Sequence, residues 1–352
     1  MTMGSVKDIE VLRKPTKKKM GVGRFHFSDR YSVFDWGEMP DLIEGKGAAL
    51  CLMGGYCFEK LEEKGVRTHY KGLVNDEGRT VRVSMLRKPS DVMEVDLVNV
   101  YRPKTVTKDG KLQYDYSMYT PSLTNCLIPL EVIYRNGLPE GSSIFKRLEQ
   151  GTVNIQQLGL DHYPKPGEKL AKPVFDVSTK LEEKDRYLTW DEAQRIAGLT
   201  VKEVEDAKAL LLQVDMLITQ VASKAGLENE DGKIELAFNP ARRLMVVDVV
   251  GTLDECRFTY NGLHVSKEIA RQFYRKSGWY ADVQEARLTA EMKGVSDWKS
   301  LCRSKPPKLD PKLKRIISEM YMATANELTE HRFFEVPSLA DVVNDYKAES
   351  HN

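Results

Sequence analysis

The chain has 352 residues, 41% apolar and 30% charged, with four Trp, fifteen Tyr and a net charge of +1. That length and apolar content suit two compact lobes with a sizeable core and exclude a disordered chain. The balanced charge lacks the basic excess of nucleic-acid and membrane-surface binders, and no apolar run nears the roughly 20 residues of a membrane span.

The N-terminal MTMGSVKDIEV has no apolar segment of the signal-peptide kind. Cys51, Cys57, Cys126, Cys256 and Cys302 are scattered, odd in number and without a CxxC pair. Buried reduced thiols in the cytoplasm fit this usage better than zinc or disulfides.

Residues 1–90 read mostly as strands, in the runs IEVL, GRFHFS and TVRVSML. One helix interrupts them, from Ala48 to Lys64. Leu52, Met53, Tyr56, Phe58 and Leu61 recur near helical period, and Gly65 ends the run. An antiparallel sheet with one packed helix is the simplest arrangement.

Residues 88–126 are polar and turn-rich, the pattern of a long excursion or an extra surface hairpin. Beyond Ile128, PLEVIY predicts a strand. Val201 to Ala225 predicts an amphipathic helix, with Val204, Ala207, Leu210, Leu211, Val214, Leu217 and Ile218 on one face. KIELAF and RLMVVDVV predict two strands about an NPARR turn. Helices follow over 265–280 and 310–330, the second preceded by the chain-breaking PPKLDPK. The expected class is α+β, divided into a small lobe at 1–87, an excursion at 88–126 and a larger lobe at 127–352.

Four segments carry candidate chemistry. In KIELAFNPARRLMVVD, strand alternation puts Lys233 and Glu235 on one face with Ile234 behind, and Asp248 closes an otherwise apolar run. Two carboxylates on neighbouring strands beside a lysine suit Mg²⁺ and nucleotide phosphates, although a surface hairpin with an ion pair has the same pattern. In LIPLEVIYRNGLPEGSSIFKRL, Arg135 could clamp a phosphate, and Gly141-Ser142-Ser143 opens a helix as an anion site or simply as an N-cap. SDRYSVFD (Ser28 to Asp35) and IEGKG (Ile43 to Gly47) read as binding loops or Asx turns. In VSTKLEEKDR, Lys180 and Asp185 are ligands or part of a solvated charge run. His69 has no partner at catalytic spacing and reads as structural. GxGxxG, GxxxxGK[ST], GxSxG and HExxH are absent.

Taken in order, these blocks resemble the SAICAR synthetase family. Gly4-Ser5-Val6-Lys7-Asp8-Ile9 resembles its GKVRDIY opening. SDRYSVFD, EGKG and Thr68-His69-Tyr70 resemble its SDRISAFD, PGKG and THF blocks. PLEVIYRN…GS, Ser178-Thr179-Lys180, KIELAF, DVVGTLDECR and SKEIAR (Ser266 to Arg271) match the later ones. The resemblance spans most of residues 4–280.

It implies a two-lobed fold related to ATP-grasp enzymes and protein kinases, with ATP between the lobes near Gly4 and Lys7 and adenine at Met85 and Leu86. It implies Mg²⁺ on Glu235 and Asp248, and the ribotide 5′-phosphate on Arg135, Ser142 and Arg257. Lys233 and Asp254 would contact the imidazole. Lys180, Asp185 and the Ser32–Asp35 loop would line the region where aspartate and nucleotide meet, and Lys267 and Arg271 complete the substrate set. The implied activity joins L-aspartate to carboxyaminoimidazole ribotide at the expense of ATP, in the cytoplasm, with small-molecule partners only, no nucleic acid and no membrane.

The chain also departs from the family pattern. Val249 stands where a second acidic residue is usual, which leaves the metal fewer ligands or has it recruit another group. Leu253 replaces a turn Pro, Glu255-Cys256 replace a Ser pair, Ser5 replaces a Lys, and one extra residue separates Arg135 from Gly141-Ser142. These changes keep open a related ligase or kinase-like enzyme with another acid or amine, or a nucleotide-binding subunit without catalysis. The tail beyond Pro306 adds helix that could serve assembly into a homo-oligomer.

Overall fold

The computed structural model describes residues 2–4, 6–108, 111–183, 185–265, 267–295 and 297–350. Ser5 and Ser266, both singled out above, lie outside the described residues. The chain opens with β1 (Thr2–Met3), β2 (Lys7–Arg13) and β3 (Gly21–Phe27), an antiparallel ribbon. Strict alternation along β3 buries Phe25 and Phe27 and leaves the intervening side chains half-buried. Next come α1 (Lys46–Glu63), β4 (Tyr70–Val74), β5 (Thr80–Val81) and β6 (Val92–Leu97). Among the described residues the first sheet runs β1-β2-β3-β6-β4-β5.

Two sequence expectations change here. TVRVSML is a strand only at Thr80–Val81. It then turns through a 3₁₀ segment, Val83–Met85, because the Val83 N–H donates to buried Glu59 Oε1 of α1 (2.8 Å). The first sheet also continues past residue 87, since β6 pairs with both β3 and β4. Its charged residues Glu94 and Asp96 alternate with fully buried Met93 and Val95, so the segment looks polar in sequence. Within 88–126, the surface hairpin is β7 (Lys104–Lys108) with β8 (Lys111–Asp115).

The second sheet is built from β9 (Cys126–Leu138), β10 (Glu168–Thr179), β11 (Leu227–Phe238), β12 (Leu244–Val247), β13 (Cys256–Tyr260) and β14 (Leu263–His264), interleaved with α2 (Ser143–Glu149), α3 (Trp190–Ile196) and α4 (Val201–Lys224). Its order is β10-β9-β11-β13-β14, with β12 also on β11. A capping box of Thr200 and Glu203 starts α4, whose apolar stripe is buried against β9 and β11.

The chain ends in α5 (Glu268–Arg275), α6 (Gly278–Lys293), α7 (Pro311–Thr329) and α8 (Leu339–Ser350). Asp310 caps α7 by accepting the N–H groups of Lys312 and Leu313, with Pro311 in the first turn. The tail packs on its own chain, α7 against α1 and α8 against α7.

The two sheets meet through backbone. Val246 N–H donates to Arg67 O (2.9 Å), and His69 N–H donates to Val246 O (3.1 Å). One continuous core runs from Phe25 and Phe58 to Val246 and Phe258. Among the described residues no helix is long and apolar enough to cross a membrane.

Candidate active site

Register across the second sheet gathers the charged residues. Glu235 on β11 lies opposite Glu131 on β9 and Val247 on β12, so Asp248 follows directly beyond the pairing. Lys233 shares the Glu235 face, while Ile234 is 1% exposed in the core behind. Asp248 adopts φ 66°, a left-handed conformation that aspartate tolerates better than most residues. His69 Nε2 donates to the Asp248 carbonyl (3.2 Å), which assigns the proton to that nitrogen. Burial pushes the His69 pKa down to about 4, so the ring is neutral. The structural reading of His69 thus gains a specific content: it holds the turn that presents Asp248.

The charges form a linked cluster. Lys7 of β2 reaches across from the first sheet to Asp248 Oδ1. Lys180 Nζ lies 2.6 Å from Glu235 and 3.1 Å from Glu131, and Lys233 Nζ lies 2.8 Å from Glu131 and 3.3 Å from Glu255. Four carboxylates therefore share three ammoniums. Burial and the neighbouring Asp248 raise the Glu235 pKa. At Asp248 burial acts in the same direction, but Lys7 and Lys180 outweigh it and hold that carboxyl below its usual range. Two neighbouring carboxylates with opposed shifts titrate as a pair, Asp248 giving up its proton first. This wall borders a cavity of about 520 Å³ between the sheets, which Gly4, Phe25, Leu97 and Val98 also line.

A second cavity of about 190 Å³ adjoins the first, and Lys233 and Glu255 line both. Arg135, Asp185, Asp254, Arg257, Lys267 and Arg271 come together around it. Behind its wall runs a chain of alternating charge. Arg147 pairs with Asp176, Asp176 with Arg135 (3.3 Å), Arg135 with Asp231 (3.3 Å) and Asp231 with Arg257 (2.7 Å). Arg135 is 3% exposed and also donates to Ser143 Oγ and Tyr187 OH. Its two terminal nitrogens are engaged within the protein while its buried Nε has no partner, and Arg257 is the more exposed of the two.

Asp254 accepts from Lys46 Nζ on Oδ2 (2.8 Å), and Lys267 Nζ donates to its carbonyl (2.9 Å). Burial would raise the Asp254 carboxyl, but Lys46 and Lys267 hold it well below the usual range. Burial lowers the Lys267 pKa. Asp185 is exposed at the mouth, yet desolvation and Glu131 push it up to about 6.

Other expected site residues fall outside both cavities. Met85 is 66% exposed and Leu86 is in the core beside α1, because the strand that leaves the first sheet towards the cleft is β6. Asp96, Leu97, Val98 and Val100 line the larger cavity. Ser142 caps α2, its Oγ accepting from the Ile144 N–H. Ser32 Oγ accepts from Gly37 N–H, and Asp35 pairs with Arg287 (3.0 Å). Val249 is buried against Gly54, so an acid there would face the core and not the cleft.

Sequence reading passed over Asp231, Asp176 and Tyr321 as site residues. Lys46 entered only as part of the IEGKG binding-loop candidate, a lysine inside a glycine-flanked block that opens an apolar helix. Asp231 stands two residues before Lys233, on the same strand face.

The model of the SAICAR synthetase family matches residues 4–288. A protein of Archaeoglobus fulgidus, provisionally named phosphoribosylaminoimidazole-succinocarboxamide synthase, is 48% identical over 345 residues, covering 98% of this chain and 99% of its own. Among solved structures, the SAICAR synthase of Saccharomyces cerevisiae complexed with SAICAR matches with TM-score 0.61 at 19% identity, covering 94% of this chain and 95% of its own. A type-2 SAICAR synthetase in complex with ADP matches with TM-score 0.55 at 17% identity, covering 88% and 99%. At such identities the structural likeness concerns the fold, an α+β arrangement of helices on antiparallel sheets. The ordered blocks, the adjoining cavities and the match over four-fifths of the sequence agree: this chain belongs to the SAICAR synthetase family.

Proposed function

We propose that the protein is an ATP-dependent ligase of purine biosynthesis. It joins L-aspartate to 5-amino-1-(5-phosphoribosyl)imidazole-4-carboxylate and gives SAICAR, ADP and phosphate. The observation that carries this reading is the junction of the two cavities at Lys233, beside four carboxylates that share three ammoniums.

In this reading ATP occupies the larger cavity, with its base against Leu97 and Val98 and its phosphates near Gly4 and Lys7. The ribotide occupies the smaller one, with its phosphate towards Arg257 and Arg271 and its imidazole near Asp254 and Lys267. A two-lobed cleft of this kind is the basis for relating the fold to ATP-grasp enzymes and protein kinases. A cytoplasmic, small-molecule enzyme is the setting it implies.

The residues present suit Mg²⁺, a hard cation that takes oxygen ligands from one or two carboxylates plus phosphates. Glu235 and Asp248 would hold it, and when bound it would supply the positive charge the cluster lacks. Among the described residues no group of three or more metal-ligating side chains occurs, so phosphate oxygens and water would complete the shell.

The chemistry follows from the charges. A carboxylate is a poor electrophile for an amine. Its oxygen attacks the γ-phosphorus, ADP leaves and an acyl phosphate forms. The aspartate amine then attacks the acyl carbon, expelling phosphate and losing a proton. Phosphoryl transfer asks the protein mainly for alignment and for positive charge on the transferring oxygens. Lys233, shared by both cavities, and Lys180 stand where that charge develops. Arg257, Lys267 and Arg271 offset repulsion between two polyanionic substrates.

Purified protein given ATP, Mg²⁺, the ribotide and aspartate should release phosphate only when all four are present, and chelation by EDTA should stop it. Phosphate release indifferent to aspartate would sink the proposal.

A further inference from the structure

We propose that Tyr321, on the C-terminal helix α7, is a positioning residue for the smaller cavity: its hydroxyl orients the Asp254 carboxylate towards the acceptor substrate. The inference rests on reading that cavity as the ribotide site. Helix α7 starts at Pro311, beyond residue 288, the last one matched by the family model. It nonetheless delivers a side chain to the back of the site.

The Tyr321 hydroxyl donates to Asp254 Oδ1 (2.7 Å) while Lys46 Nζ donates to Oδ2 (2.8 Å). Lys46 also sits 5.4 Å from the centroid of the Tyr321 ring, a cation–π distance. Tyr321 and Lys46 are 2% and 1% exposed, so neither is a solvated side chain that happens to touch the carboxylate. With Lys267 on its carbonyl, Asp254 is gripped at three oxygens. One protein donor on each carboxylate oxygen fixes the rotamer and leaves each oxygen able to accept from a ligand N–H. The acceptor's imidazole carries an exocyclic amine, a donor of that kind.

The position of α7 does not depend on this one contact. Gly45 stands at φ 75°, and a Cβ there would lie 2.6 Å from Met322 Sδ, so the helix seats directly on a glycine of the EGKG block. Ser318 Oγ donates to Glu44 O, and Leu309 N–H donates to Asp41 Oδ2 (2.7 Å). The helix is therefore held over Asp41–Gly47 independently, and removing a single hydroxyl leaves it docked.

The test compares Tyr321→Phe with Ser318→Ala in the full chain. Tyr321→Phe should lower kcat/KM for the ribotide about tenfold, the scale of one hydrogen bond to a charged group. Its KM for ATP should stay within about twofold and its melting midpoint near wild type. Ser318→Ala, which loses a contact of the same helix away from Asp254, should keep wild-type kinetics. Unchanged ribotide kinetics in Tyr321→Phe, or equal losses for ATP and ribotide in both variants, would overturn the inference. If wild-type protein itself fails to turn over these substrates, the functional reading fails and a structure of Tyr321→Phe decides this point. A reoriented Asp254 carboxylate supports the inference, and an unmoved one refutes it.

Discussion

The two cavities are built from similar residues and balanced differently. Around the smaller one, charges alternate: Arg147, Asp176, Arg135, Asp231 and Arg257 form a chain in which each internal member has a partner on both sides. Beside the larger one, Glu235, Asp248 and Glu255, together with Glu131 of the smaller cavity, share Lys7, Lys180 and Lys233, and Glu235 is pushed towards its neutral form. A chain of alternating charge, three arginines on two aspartates, is a scaffold that orients its end members. A cluster with one carboxylate in excess leaves an acidic wall on the larger cavity. Arg135 lines the smaller cavity and commits both terminal nitrogens to its scaffold, while its buried Nε has no partner.

The contrast can be broken most severely on the unbalanced side. Glu235→Gln should reduce kcat for phosphate release roughly a thousandfold, the scale of losing a principal electrostatic contributor to the transition state, while the melting midpoint holds or rises because one buried like charge is gone. Steady-state kinetics with a thermal scan checks both halves, and a variant that loses stability but keeps its turnover would contradict the contrast.

On the side of the alternating chain the order reverses. Asp231→Asn strands the buried Arg135 with one carboxylate and frees Arg257, and should destabilise the fold by about 3 kcal/mol. Urea titration reads that loss; a change below about 1 kcal/mol would mean the chain is not a scaffold. The smallest effect sharpens the boundary of the larger cavity. Met85→Ala should shift the KM for ATP less than about twofold, because Met85 is a surface side chain outside that cavity. A tenfold rise would restore the segment after β5 as the adenine contact.

Much of the larger cavity could be read from the chain. Strand alternation put Lys233 and Glu235 on one face, and a carboxylate closing the apolar LMVV run marked Asp248. Both inferences use spacing within a single strand, which is local. Met85 and Leu86, expected at the adenine, lie outside both cavities, because that expectation required knowing which strand leaves the first sheet, and the alternating charges of VMEVDL disguised β6 as surface chain. His69 showed no catalytic spacing because its partner is a backbone carbonyl 179 residues away.

By itself the sequence determined the class of fold, the order of the family's blocks and the shared face of Lys233 and Glu235, since periodicity and motif spacing are properties of neighbouring residues. Only the tertiary structure decided how the arginines pair, that the first sheet extends through Leu97, and that a tyrosine from the last third of the chain hydrogen-bonds Asp254. Those outcomes depend on strand order and on helix α7 seating against Gly45, contacts between residues far apart in sequence whose pairing no local pattern encodes.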